Sequence, residues 1–277
     1  MRRVWFRVRG SPLTLAGFAI AVLVLVVIVA APLIAPYPPD KIALIARLRP
    51  PSAAHPFGTD EVGRDILSRV IFGARASCGT AFAIIALSTV SGAVIGGLSG
   101  VVGGVVDTAV MRAMDVALAL PALILAMALA AALGPSLFNA MLAIAIVRIP
   151  AYVRLARSQT LALRHRTYVR AARSFGASPL YLLRWHILPN ALSPIMVQAT
   201  LDLGGTILTA AALSFIGLGA QPPTSEWGAM VSSGRNFFLD EWWYATFPGL
   251  AILVSATGFN LLGDGLRDLL DPRLGGR

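Results

Sequence analysis

The chain is nearly bare of the residues that carry chemistry in soluble enzymes. Its one cysteine, Cys78, excludes an internal disulfide and any multi-cysteine metal site. It has three histidines, His55, His165 and His186, too scattered to form a metal-ligand cluster. No G-x-x-x-x-G-K-[ST] run exists to cradle a nucleotide's phosphates, no G-x-G-x-x-G follows a strand, and no G-x-S-x-G occurs. Charged side chains make up only 13% of the 277 residues, about half the share of an ordinary soluble domain. The chain therefore has no nucleotide site of this kind, no evident catalytic constellation and no need of a cofactor of its own.

What is present is apolar: 57% of the residues are hydrophobic, and the mean hydropathy is +0.75. This is an integral membrane protein of the all-α polytopic class. The formal net charge of +10 is almost entirely arginine, Lys41 being the only lysine. A nucleic-acid reading of that charge fails, because no soluble basic domain exists to hold a groove. Arginines flanking apolar spans set orientation in the bilayer instead.

Residues 1–35 read as a cytoplasmic start, with Arg2, Arg3, Arg7 and Arg9, followed by a first span. Its apolar run from 13 to about 36 exceeds the core of a cleavable signal and suffices to cross the bilayer. Residues 36–76 form an extracytoplasmic segment, kept out of regular structure by its prolines until at least Phe57. Thr59 or Asp60 is a candidate cap for a following helix, and Arg69 stands four residues after Asp65, the spacing of a helical pair. Residues 77–277 then hold five further spans, at about 78–102, 106–133, 137–153, 191–218 and 243–262.

Within these, Gly92, Gly96, Gly100 and Gly104 recur every fourth residue, a groove of bare backbone for close helix packing. Arg112 and Asp115 have the spacing of a pair, and Pro121 is placed to bend the third span. Arg148 falls toward the cytoplasmic end of the fourth. Asp202 lies among apolar neighbours in the fifth, where a charge costs about 2.5–3.5 kcal/mol. Three readings of it stand: it lines a translocation path and meets a positive group on cargo, it pairs with an arginine such as Arg148, or it is protonated and tolerated. Trp227, Trp242 and Trp243 flank the last outer loop, as expected of interfacial rings.

One basic stretch interrupts the apolar chain at about 164–187. Val169, Ala172 and Phe175 recur at helical spacing and give a small apolar face, with arginines on the other sides. Gly176 suits the helix end, Pro179 the start of the next piece, and Pro189 the entry to the next span. A docking helix for a protein groove and a basic helix lying on anionic lipid are the two readings of such a segment.

Ala171-Ala172, Gly176 and Leu188-Pro189 resemble the coupling motif of permeases in ATP-driven importers, with Arg170 where that motif begins with Glu. Pro56-Phe57-Gly58-Thr59-Asp60, Gly63-Arg64-Asp65, Ser68-Arg69, Gly73-Ala74-Arg75-Ala76-Ser77, Ser225-Glu226-Trp227-Gly228, Gly234-Arg235 and the tail from Asn260 to Leu274 resemble the dipeptide and oligopeptide branch. The likeness runs nearly the whole chain and is to the C-type permease of an ABC importer pair, for peptides or, in some relatives, nickel or another small solute. It implies a type I importer permease fold of six transmembrane helices, with both ends cytoplasmic in the inner or plasma membrane. It implies that Tyr168, Arg170, Ala171, Ala172, Phe175, Gly176, Leu188 and Pro189 form the ATPase-coupling motif. Its implied partners are a homologous second permease, two ATP-binding subunits carrying ATP and Mg, and an extracytoplasmic solute-binding protein, with no nucleic acid. A self-contained secondary transporter is the rival of another class, but it would show repeated halves and several deep ionisable residues.

Overall fold

The computed structural model describes residues 12–270, and every regular element among them is a helix. Besides two 3-10 turns, Leu44–Ala46 and Arg235–Phe237, these are in chain order α1 (Pro12–Ile34), α2 (Ile66–Val102), α3 (Gly104–Leu118), α4 (Ala122–Leu133), α5 (Leu137–Leu163), α6 (Thr167–Ser174), α7 (Pro179–Phe215), α8 (Trp227–Gly234) and α9 (Trp243–Leu270). Helices α1, α2, α5, α7 and α9 are each long and apolar enough to cross a membrane, and α3 with α4 supplies a sixth crossing if counted as one broken span. Their outer faces are apolar and open: Val29 and Leu33 of α1 are 79% and 88% exposed. A helix satisfies its own backbone, so such faces can meet lipid without unpaired peptide groups. The arginines before Pro12 and the tail residues Asp271 to Leu274 lie outside the described residues.

The spans differ from the expected boundaries for identifiable reasons. The second begins at Ile66 rather than near 78, so the boundary drawn at 76–77 falls inside a helix. Its cap is Asp65, whose carboxylate accepts from the Ser68 amide at 2.8 Å, and not Thr59 or Asp60. The third is no single helix: α3 and α4 meet at 91°. Pro121 caps α4 from a non-helical conformation, because its ring forbids the preceding residue from continuing the turn. The fourth runs ten residues past the expected end, to Leu163, since Arg154 and Arg157 find carboxylates on α3 and stay helical. The fifth starts at Pro179, not after Pro189. A π-helical turn, Leu182–Ile187, precedes Pro189 and carries the helix past a residue that donates no N–H. The last continues to Leu270.

Three of the four spaced glycines make the α2–α5 seam. A side chain at Gly92 would strike Tyr152, one at Gly96 the Val153 carbonyl, and one at Gly100 would stand 2.8 Å from the Thr160 methyl. Gly104 takes no part: it has φ +60 just past the end of α2, with nothing near it. The central core gathers Cys78, Ile85, Tyr152, Leu203, Ile207, Trp227, Tyr244 and Phe259 from α2, α5, α7, α8 and α9.

Residues 36–65 fold back onto the end of the bundle away from α6. Asp60 is fully buried and accepts from Arg64 Nε at 2.6 Å and Arg69 Nη1 at 2.5 Å. Arg69 thus pairs with Asp60 and not with Asp65, which is turned toward Ser68 and toward His55 Nδ1 at 2.9 Å. Arg69 also reaches Pro223 O and Ser225 Oγ, and Ser77 Oγ donates to the buried Glu226 at 2.9 Å. The Trp227 and Trp243 indoles donate inward, to Val70 O and Thr59 O, so of these three rings half-exposed Trp242 is the one free to act at an interface.

Candidate functional site

Two features stand out, one at an end of the bundle and one within it. At the end, α6 hangs between α5 and α7 as a two-turn helix. Gly176, with φ +81, ends it, and Ser178 caps the next turn by accepting from the Tyr181 amide at 3.3 Å. Val169 is fully buried against Val101, Leu182, Leu183 and Ile187, with Ala172 and Leu188 packed alongside. Phe175 does not join them: it is 91% exposed. The expected common face fails because residues three apart fall short of a full turn, and two such steps put Phe175 about 120° around from Val169. The surface α6 offers outward is Tyr168, Arg170, Ala171, Phe175 and Gly176. It continues into Leu180, Tyr181 and Trp185, which are 63%, 50% and 59% exposed. Pro189 is exposed within α7.

The basic stretch is in part structural. Arg164 Nη1 donates to Gly100 O at 3.3 Å, and Arg173 Nη2 to Val101 O at 3.4 Å. Those carbonyls end α2, where the helix leaves acceptors unpaired and favours cations. Next to them Arg157 grips Asp107 through two hydrogen bonds, each of 2.6 Å, and Arg154 reaches Asp115 at 2.6 Å. Arg112 also stands 3.9 Å from Asp115. The two contacts with α5 hold α3, which buries no residue of its own. Residues 39 and 50 apart give no local spacing signal, and sequence reasoning missed both pairs. The capping role of Glu226, named in the sequence only within a family motif, was missed too, although a carboxylate just before an apolar run is a recognisable cap; it accepts from the Ala229 amide at 2.8 Å.

Within the bundle, Asp202 on α7 meets Arg148 on α5. The carboxylate accepts from Tyr152 Oη at 2.8 Å and from Gln198 Nε2 at 3.1 Å, and Arg148 Nη1 stands 3.7 Å away. Both charged side chains are 22% exposed. Of the three readings of Asp202, the pair with Arg148 is present, and the partial opening leaves a role on a path compatible with it. A neutral pair lowers the cost of each charge in the membrane.

This bundle, with its short external helix and its partly open ion pair, can be set beside known proteins. The family described as binding-protein-dependent transport system inner membrane component matches residues 92–276. The chain belongs to that family. The N-terminal TM domain of oligopeptide transport permease C matches residues 1–51 of this permease. The probable D,D-dipeptide transport system permease protein DdpC of Escherichia coli is 59% identical over 274 residues, covering 99% of this chain and 92% of that one. The dipeptide permease DppC of the same organism is 45% identical over 280 residues, covering 99% and 93%. The di/tripeptide permease DppC of Pseudomonas aeruginosa is 44% identical over 280 residues, covering 99% and 92%. The protein is thus a C-type ABC permease, a transport component of a membrane.

Proposed function

We propose that this chain forms half of the translocation path for short peptides in an ATP-driven importer. The observation that carries the reading is α6: one side of it is pinned to the span ends through Val169, and the other side presents Phe175, Tyr168 and Arg170. A two-faced lever of this kind suits a permease that binds no nucleotide itself. ATP and Mg on two ATP-binding subunits favour one arrangement of a permease pair, hydrolysis favours the other, and α6 passes the bias to α2 and α7. The second permease completes the path, and an extracytoplasmic solute-binding protein delivers cargo. Both termini then lie in the cytoplasm with α6, and residues 36–65 lie outside. The cargo class is supported by the dipeptide and di/tripeptide names of relatives that match almost from end to end.

The test is reconstitution of the whole complex in liposomes, with ATP inside and labelled dipeptide outside with the binding protein. ATP-dependent accumulation is expected. ATP hydrolysis that responds to the loaded binding protein but carries no di- or tripeptide would overturn the cargo class.

A further inference from the structure

We infer that Arg148 and Asp202 form a site for the two charged ends of a zwitterionic peptide on its way through the bundle. The inference rests on the peptide-importer reading above and goes beyond it by naming the groups and the chemistry they recognise.

Three observations lead there. First, the two members of the pair are unequally satisfied. Asp202 accepts hydrogen bonds from Tyr152 and Gln198, whereas Arg148 has only the 3.7 Å ion pair and makes no hydrogen bond among the described residues. A guanidinium carries five donors in a planar fork matched to a carboxylate. Inside a membrane an arginine with unused donors faces an anion's place, not hydrocarbon. Second, the guanidinium lies over bare backbone: a Cβ built on Gly205 would stand 3.7 Å from Arg148 Nη2. Third, Gln198, Asp202, Gly205 and Thr209 follow one another at steps of four, three and four, so one face of α7 is a polar and small stripe, and every member of it is at least partly open. A lipid-facing stripe would be apolar.

The chemistry is an exchange of partners. The carboxylate of an arriving peptide takes the fork of Arg148, and its ammonium takes the carboxylate of Asp202, which Tyr152 and Gln198 hold in place. The total charge at this depth is unchanged, so the cargo's ends are carried without adding an unpaired ion to the membrane. After release the protein pair closes on itself again.

The experiment uses the reconstituted four-subunit transporter with its binding protein. It compares a tripeptide with its C-terminal amide and its N-acetyl form. Arg148→Gln is expected to cut uptake of the free acid by about tenfold, the loss of one charge-assisted contact, and to leave the amide within about twofold. Asp202→Asn is expected to discriminate in the same way between free and acetylated amino ends. The ratios are taken with one binding protein, so that its own preference cancels. Equal loss of every cargo would overturn the inference.

The exchanged pair, Arg148→Asp with Asp202→Arg, separates recognition from scaffolding. The exchanged chain is expected to assemble, with uptake of the free acid remaining at the single-variant level. Full recovery of uptake would mean that only the ion pair matters, and would overturn the inference; this arm also decides if the wild type carries no amide. If the exchanged chain does not assemble, Arg148→Lys decides: a KM for the free acid raised about tenfold supports the inference, and an unchanged KM overturns it. A wild type that carries no peptide at all would instead refute the cargo reading on which the inference rests.

Discussion

Asp60 is a main tie between residues 36–65 and the bundle. Asp60 is fully buried and takes the Arg64 and Val62 amides as well as two guanidinium groups. Removing it leaves Arg69, itself 3% exposed, as a buried cation without its partner. Asp60→Ala is expected to cost about 3–5 kcal/mol, read as a lowered thermal midpoint of the detergent-solubilised chain. Adding Arg69→Met should recover part of that loss, since it removes one of the two stranded guanidinium groups, while Arg64 keeps Glu61 at 3.5 Å. The sequence held the right residues here but suggested the wrong partner. The four-residue rule linked Arg69 to Asp65, and that rule assumes both side chains lie on one helix surface. Asp65 is the cap, with its carboxylate folded back onto Ser68, so Arg69 turns to the loop before it.

Among the elements, the seam between α2 and α5 was legible in advance. Glycines four apart on an apolar helix predict a flat face, and Gly92, Gly96 and Gly100 meet α5 there. The fourth glycine fails because α2 has already ended: Gly103, with φ +72, turns the chain, and spacing carries no meaning across a turn. The right-angled break at Pro121 was half legible, since proline announces a bend but not its size, which depends on what the two halves pack against. Gly96→Ala is expected to destabilise by about 1–3 kcal/mol, because the new methyl overlaps the Val153 backbone, which cannot rotate away. Gly79→Ala, on the same helix with nothing within 4 Å, should be neutral or stabilising by up to about 1 kcal/mol. Thermal unfolding of the two variants side by side separates close packing from helix propensity. Equal effects would remove the seam as a special contact.

For the whole molecule, the proposed mechanism divides α6 into two halves with separable duties. Inward, Val169 and Ala172 join Val101, Leu183 and Ile187, so a push on α6 is felt where α2 ends and where the π-helical turn of α7 begins. Outward, Phe175 stands nearly free on a surface that also carries Arg170 and Tyr168. An aromatic ring left open at a helix end is the type of group that anchors in a partner's pocket, and losing such an anchor costs about 2 kcal/mol or more. Phe175→Ala is therefore expected to weaken binding of the ATP-binding subunits about thirtyfold, with the thermal stability of the permease itself unchanged. Val169→Ala should do the reverse. It opens a cavity at the span ends costing about 1.5–3 kcal/mol, keeps the subunits bound, and lowers the peptide carried per ATP hydrolysed. Subunit affinity and transport stoichiometry, measured on both variants, must move independently for the lever to be real. If both variants changed both quantities together, α6 would be a single docking plug, and the drive to the path would have to enter through another contact.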